Sequence, residues 1–203
     1  MTGFYRFGKA VCNLFCALAF RVEIHGADNL PESGGFILAS NHVTDFDPVF
    51  MGIRIKRQLN FMAKAELFKN KLFGAVIKGL GAFPVERGKG DSTAIQKAID
   101  TVENGDVLAI FPEGTRSKTG ELGRFKSGAI VVASQTKADI VPTSIYIKDI
   151  KSGGIKFRSK VVVRYGEVIP NEKLQIDVNN PSTIKKASLR VHDAVAALLE
   201  ESK

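Results

Sequence analysis

Apolar positions recur along the chain with two different periods, and the switches between them mark out elements. At the start, Phe4, Phe7, Val11, Leu14, Phe15, Leu18 and Val22 follow at three- and four-residue steps, the spacing of one helix face. Short apolar runs of strand length occupy residues 22–25, 36–39, 60–63, 82–85, 107–111, 140–147 and 161–165. Between them the helical period returns over 49–55, 66–80, 92–103 and 128–135, with Ser92 placed as an N-cap. A last helix is predicted over 181–199, where Ile184, Leu189, Val191, Val195 and Leu198 share a stripe. Strands alternating with helices predict an α/β architecture. No repeat or low-complexity tract interrupts it, so a single domain is expected.

The chain has 203 residues, 44% hydrophobic and 25% charged, with seven Pro. That excludes a disordered or collagen-like polymer and suffices for a sizeable core. The net charge of +8 is unevenly placed. Residues 1–21 carry Arg6, Lys9 and Arg21 without an acid, residues 22–53 carry five acids and no Lys or Arg, and residues 54–89 carry nine basic residues against Glu66 and Glu86. Eleven of the fourteen Phe lie in residues 1–83. A charge run alone reads most simply as a solvated face. Basic and apolar residues sharing one segment favour a membrane surface and argue against nucleic acid, whose binding needs mainly phosphate-contacting charge.

The first segment has an apolar stretch from Ala10 to Phe20 broken only by Asn13, short of the roughly 20 residues a spanning helix needs. Arg6 and Lys9 before it and Arg21 after it suit anionic headgroups, so residues 1–21 are expected to form an amphipathic interfacial anchor. An ordinary core helix and a signal peptide, with Ala17-Leu18-Ala19 resembling a cleavage site, are its rivals. Cys12 and Cys16, one helical turn apart, sit about 5–6 Å from one another at Cβ, too far for a disulfide. They are expected to be small apolar residues on the buried side.

Three polar loops after predicted strands carry the chemistry, where α/β proteins place their sites. The first reads Asn41-His42-Val43-Thr44-Asp45-Phe46-Asp47-Pro48. A His followed five positions later by an Asp can turn back so that the carboxylate meets Nδ1, leaving Nε2 as a general base. A structural His bonded to a helix-capping Asp is the plainer alternative, and Asp45 offers a second carboxylate. The second loop is Phe111-Pro112-Glu113-Gly114-Thr115-Arg116-Ser117, where Gly114 opens backbone conformations and the forked Arg116, with Thr115 and Ser117, suits a phosphate. A polar turn with a structural ion pair reads it equally well. The third loop ends in Arg87-Gly88, a second fork for an anion.

Taken together these blocks resemble the 1-acyl-glycerol-3-phosphate (lysophosphatidate) acyltransferase family. Asn41, His42 and Asp47 match its Asn-His-x4-Asp block; Gly81, Phe83 and Arg87 its second; residues 111–117 its Phe-Pro-Glu-Gly-Thr-Arg-Ser at every position; Val141 and Pro142 its Val-Pro. The run Phe125-Lys126-Ser127-Gly128-Ala129 also follows the family's habit after the third block. Residues 150–203 offer nothing to carry over.

The resemblance implies an acyltransferase domain over residues 22–203 with a mixed, largely parallel sheet flanked by helices, behind the anchor. It implies His42 as base, Asp47 as its orienting partner, and Arg87, Glu113, Gly114, Thr115 and Arg116 around the substrate phosphate. It also implies acyl-CoA or acyl-carrier protein as co-substrate, with no cofactor or metal, and a monotopic place on the cytoplasmic face of the cell membrane. An apolar slot for acyl chains is expected between Leu67 and Phe83, with Phe68, Leu72, Phe73 and Val76 as candidates. Most of that segment is nonetheless expected to be core. Lys64, Lys69, Lys71 and Lys78 form a basic collar for headgroups or donor. Glycerol 3-phosphate or another lysophospholipid as acceptor is the rival within the class, and a silent lipid-binding relative the rival outside it.

Overall fold

The computed structural model describes residues 1–86, 92–117, 119–148, 150 and 154–203. Helix α1 (Gly3–Ala19) leads into β1 (Arg21–His25), a 3-10 turn and β2 (Phe36–Ser40). Then come α2 (Asp47–Gly52), β3 (Leu59–Lys64), a 3-10 turn over Ala65–Phe68, α3 (Lys71–Gly79), β4 (Ala82–Val85), α4 (Ser92–Glu103) and β5 (Val107–Ile110). Helix α5 (Gly128–Thr136), β6 (Ile140–Ile147), β7 (Lys160–Tyr165), the one-turn α6 (Asn171–Leu174) and α7 (Pro181–Glu200) complete the chain.

The seven strands form one sheet in the order β1-β7-β6-β2-β5-β3-β4. Every neighbouring pair is parallel except β6 and β7, so β1 and β7 run against the other five. Strands β2 and β5 are buried throughout, which is why they read as continuous apolar runs rather than as alternation. On one face Ile37, Ala39, Leu108 and Ile110 pack under α4, α5 and α7 through Ala98, Ile130, Val191 and Val195. On the other, Phe36, Leu38, Val107 and Ala109 pack under Phe50 and Met51 of α2 and Cys16 and Ala19 of α1. The buried Tyr165 hydroxyl donates to the Met51 carbonyl at 2.6 Å and ties β7 to α2; burial pushes its pKa up.

The helix predicted over 66–80 is two elements. Asn70 adopts extended backbone angles and its side-chain oxygen accepts the Phe73 N–H at 3.1 Å, starting α3 afresh after the 3-10 turn. The expectation that this segment is mostly core fails. Only Gly74 of α3 is buried, whereas Leu72 is 78% exposed, Phe73 49% and Val76 39%, with Phe68 half-buried. The helix lies beside β4, the edge strand of the sheet, where nothing among the described residues covers its outer side.

Helix α1 is capped by the Thr2 hydroxyl, which accepts the Tyr5 N–H at 3.2 Å. It packs through its small and polar side. The Tyr5 hydroxyl accepts the Leu59 N–H at 3.0 Å, the Lys9 ammonium donates to the Ile55 carbonyl, and Cys16 and Ala19 are buried. Burial raises the Tyr5 pKa and lowers that of Lys9. Both cysteines are free thiols; burial and the neighbouring Cys12 push Cys16 up to about 11. The apolar stripe that made the helix legible points the other way. Phe4, Phe7, Val11, Leu14, Phe15 and Leu18 are all exposed, so an ordinary core helix does not describe this face. No helix among the described residues is long and apolar enough to cross a membrane. The stripe adjoins α3: a Cβ on Gly79 would stand 2.5 Å from the Phe4 ring, and one on Gly8 would stand 2.4 Å from Leu80.

Candidate active site

The site is built at the carboxyl ends of β2 and β5, which are hydrogen-bonded neighbours in the middle of the sheet. As β2 ends, Asn41 is buried and its amide both donates to the Ile145 carbonyl at 2.9 Å and accepts the Ile145 N–H at 2.8 Å. This pins the start of the loop to β6. The chain then turns sharply through residues 42–47. Asp47, fully buried at the first turn of α2, folds back into that turn. Its Oδ2 accepts the Val43 N–H at 2.6 Å, the Thr44 N–H at 2.9 Å and His42 Nδ1 at 2.6 Å, while Oδ1 accepts the Thr44 hydroxyl at 2.7 Å. Four donors therefore fix the carboxylate, and the carboxylate fixes the imidazole. The His42 ring also stacks on Phe111, with centroids 4.2 Å apart and planes at 18°. With Nδ1–H given to Asp47, the lone pair on Nε2 is left for a substrate.

The loop after β5 is tied to the first by the main chain of His42. Glu113 Oε1 accepts the His42 N–H at 2.8 Å, and the Ser117 N–H donates to the His42 carbonyl at 2.7 Å. The other Glu113 oxygen accepts the Gly123 N–H at 2.9 Å. Glu113 is buried with both oxygens engaged, so it joins two loops and shapes the one that bears Thr115 and Arg116. Gly114 adopts φ 72°, a conformation a Cβ disfavours, and a Cβ there would also lie 2.7 Å from the Lys126 ammonium. Thr115 and Arg116 are exposed, and Arg116 pairs with Asp45 of the first loop.

The structure thus brings His42, Asp47, Glu113, Gly114, Thr115 and Arg116 to one end of the sheet. Arg87 lies outside the described residues. Phe68, Leu72, Phe73 and Val76 form part of the outer apolar surface with α1 and are not gathered into an enclosed slot. Phe46, next to Asp47, stacks on Phe15 of α1 with centroids 5.8 Å apart, so that surface reaches the rim of the catalytic loop. Two residues escaped sequence reasoning. Lys126 is a cation beside Gly114, signalled only by its position in the run after the third block. Thr44 carries a hydroxyl that holds Asp47 and accepts the Phe46 N–H at 3.1 Å; Thr beside two Asp was the available hint.

The chain is similar to known proteins in sequence and in fold. A family model described as Acyltransferase matches residues 21–146. The 1-acyl-sn-glycerol-3-phosphate acyltransferase of Bacillus subtilis is 35% identical over 141 residues, covering 69% of this chain and 70% of that protein. Its namesake from Streptococcus pneumoniae is 32% identical over 182 residues, covering 88% of this chain and 66% of its own length. In fold, the chain matches the crystal structure of the 1-acyl-sn-glycerophosphate acyltransferase PlsC of Thermotoga maritima with a TM-score of 0.78 at 24% identity, over 97% of this chain and 80% of that one.

Proposed function

The chain belongs to the acyltransferase family, and from that premise we propose that it acylates the free sn-2 hydroxyl of 1-acyl-glycerol 3-phosphate, with a thioester as donor and phosphatidate as product. The relatives that carry the acceptor in their names support the choice of substrate. The observation that carries the chemistry is the His42–Asp47 pair at 2.6 Å, fixed beside a loop bearing Arg116 and approached by Lys126.

In this mechanism the acceptor hydroxyl gives its proton to His42 Nε2 as its oxygen attacks the thioester carbonyl carbon. Asp47 holds the ring and stabilises the imidazolium that forms. General-base help of this kind contributes on the order of 10²–10⁴-fold. The tetrahedral intermediate then collapses with cleavage of the C–S bond, and the imidazolium returns its proton to the departing sulfur. A thiol, with a pKa near about 8.5, needs little help to leave. No acyl-enzyme forms, which separates this scheme from that of a hydrolase triad.

The acceptor's phosphate is bound by Arg116, with Lys126 beside Gly114 and Arg87 by resemblance. An exposed ion pair such as Arg116–Asp45 contributes about 0–1 kcal/mol, so a phosphate can replace Asp45 at little cost. Acyl tails reach the site from the outward apolar face of α1 and α3, which we read as resting on a bilayer, with the enzyme peripheral to the membrane. The exposed Phe and Leu side chains of that face and the Lys of the basic collar support this.

The test is incubation of purified protein with lysophosphatidate and a radiolabelled acyl chain on CoA or on acyl-carrier protein, for wild type and His42→Ala. Labelled phosphatidate from at least one donor is expected, with turnover lost in the variant while its fold is kept. Phosphatidate from neither donor, or wild-type turnover in the variant, sinks the proposal.

A further inference from the structure

The described part of residues 148–160 shares an end of the sheet with His42. Strand β6 runs with β2 and ends there; β7 and β1 run against them and begin there. At that edge opens a cavity of about 440 Å³ lined by Arg21, Lys148, Lys156, Arg158 and Lys160. Glu23 is the one carboxylate among its described lining residues, and it pairs with Lys160 at 2.9 Å. Four cations therefore surround the opening with no carboxylate left among the described lining residues to answer them.

The turn that supplies Lys156 and Arg158 is a built feature. Arg158 sits at φ 61°, where a side-chain-bearing residue is disfavoured, and must be held there. Its N–H donates to the Ala19 carbonyl at 2.6 Å, the Arg21 N–H donates to the Ser159 carbonyl at 3.0 Å, and the Lys148 N–H donates to the Lys160 carbonyl at 3.0 Å. The first two bonds clasp the turn to the end of α1 and the start of β1, and the Arg158 bond lands one residue beyond the exposed Leu18. Between Lys156 and Arg158 stands Phe157, 73% exposed.

We propose that this turn is a second membrane contact, in which the cavity takes the phosphate of an anionic phospholipid headgroup and Phe157 enters the apolar layer at the end of α1. The proposal rests on reading the outward face of α1 as bilayer-facing. A basic–aromatic–basic tip continuous with that face fits a lipid surface better than an acidic protein, which would meet Phe157 as an unpaired apolar side chain.

Flotation of the full chain with vesicles of phosphatidylcholine, and of equal parts phosphatidylcholine and phosphatidylglycerol, tests it. Wild type is expected to prefer the anionic vesicles, and added salt to erase the preference. The variant Lys148→Gln/Lys156→Gln/Arg158→Gly keeps a residue suited to positive φ at the turn. Each cation lost weakens anionic binding about fivefold, so the triple change lowers it on the order of a hundredfold while leaving neutral binding unchanged. Phe157→Ser weakens binding to both vesicle types. Turnover of the triple variant in detergent should stay within about twofold of wild type. An anionic preference that survives the triple change overturns the proposal. So does intact vesicle binding combined with lost turnover on an acyl-carrier-protein donor, which would assign the cations to a protein partner. Leu14→Ser/Leu18→Ser reads the underlying premise separately: wild-type binding there sinks the α1 reading alone, because the salt-sensitive preference is judged by the triple variant.

Discussion

The catalytic loops and the outer face of α1 meet where Phe46 stacks on Phe15, and they solve opposite problems. In the loops, the polar groups of Asp47, Thr44, Glu113 and Asn41 all have partners, mostly backbone N–H groups, and Asp47 is wholly buried. On α1, six large apolar side chains stay exposed, with only Phe15 and Phe4 partly covered, by Phe46 and Gly79. The first region is complete by itself; under the proposed function, the second is completed by the bilayer. Geometry for proton transfer is thus set by the protein alone, while, under the proposed function, delivery of a substrate with an acyl tail is left to the surroundings.

That contrast breaks most sharply at Asp47. In Asp47→Asn, the NH2 can turn to the Thr44 hydroxyl, which can accept it, so a neutral amide oxygen takes the three donors now held by a carboxylate oxygen and the imidazolium loses its counter-charge. We expect turnover to fall on the order of 10⁴-fold. Replacing charge-assisted hydrogen bonds by neutral ones costs about 1–3 kcal/mol, lowering Tm by roughly 3–10 °C in a thermal melt. A variant with normal Tm and normal turnover would show that the buried network is ornamental. Next in size is Glu113→Gln, whose amide must oppose the N–H of either His42 or Gly123. We expect kcat to drop about tenfold with the acceptor KM within about twofold, as suits a residue that positions rather than binds. A raised KM at unchanged kcat would return Glu113 to the substrate.

Smaller again is Arg116→Lys, which loses the fork but keeps the charge. We expect the acceptor KM to rise about tenfold and the donor KM to stay put; equal changes in both would remove the phosphate role. Least affected in the purified protein is Phe7→Ser/Leu14→Ser. Stability should move by less than about 0.5 kcal/mol and turnover in detergent should hold, whereas turnover on vesicle-borne acceptor falls several-fold. Loss of stability there would mean the stripe packs against the protein after all.

Much of this was legible in the residues. The buried runs 36–40 and 107–110 announced the central strands, and the polar loops after them held the site. The alternation of periods was enough for α/β. What escaped has identifiable causes. Periodicity shows that α1 has an apolar face but not which way it turns; the buried side is chosen by Tyr5, Lys9 and Cys16, whose partners Leu59 and Ile55 are far along the chain. The break before α3 hung on one Asn, whose capping bond outweighs the continuing period. The bridging role of Glu113 was hidden because its partners are main-chain atoms, 71 and 10 residues away, which no side-chain pattern records.

The Asn41 carboxamide has a consequence for how abruptly the chain can change course. It offers one donor and one acceptor to Ile145, as a peptide unit would, and so stands in as one more rung of the ladder between β2 and β6. The main chain at that point is relieved of ladder duty. The N–H and carbonyl of the next residue are thereby released from the sheet and spent on Glu113 and Ser117. A side chain impersonating backbone lets a strand stop within a single residue without leaving its neighbour frayed, and the residue freed by that substitution is His42.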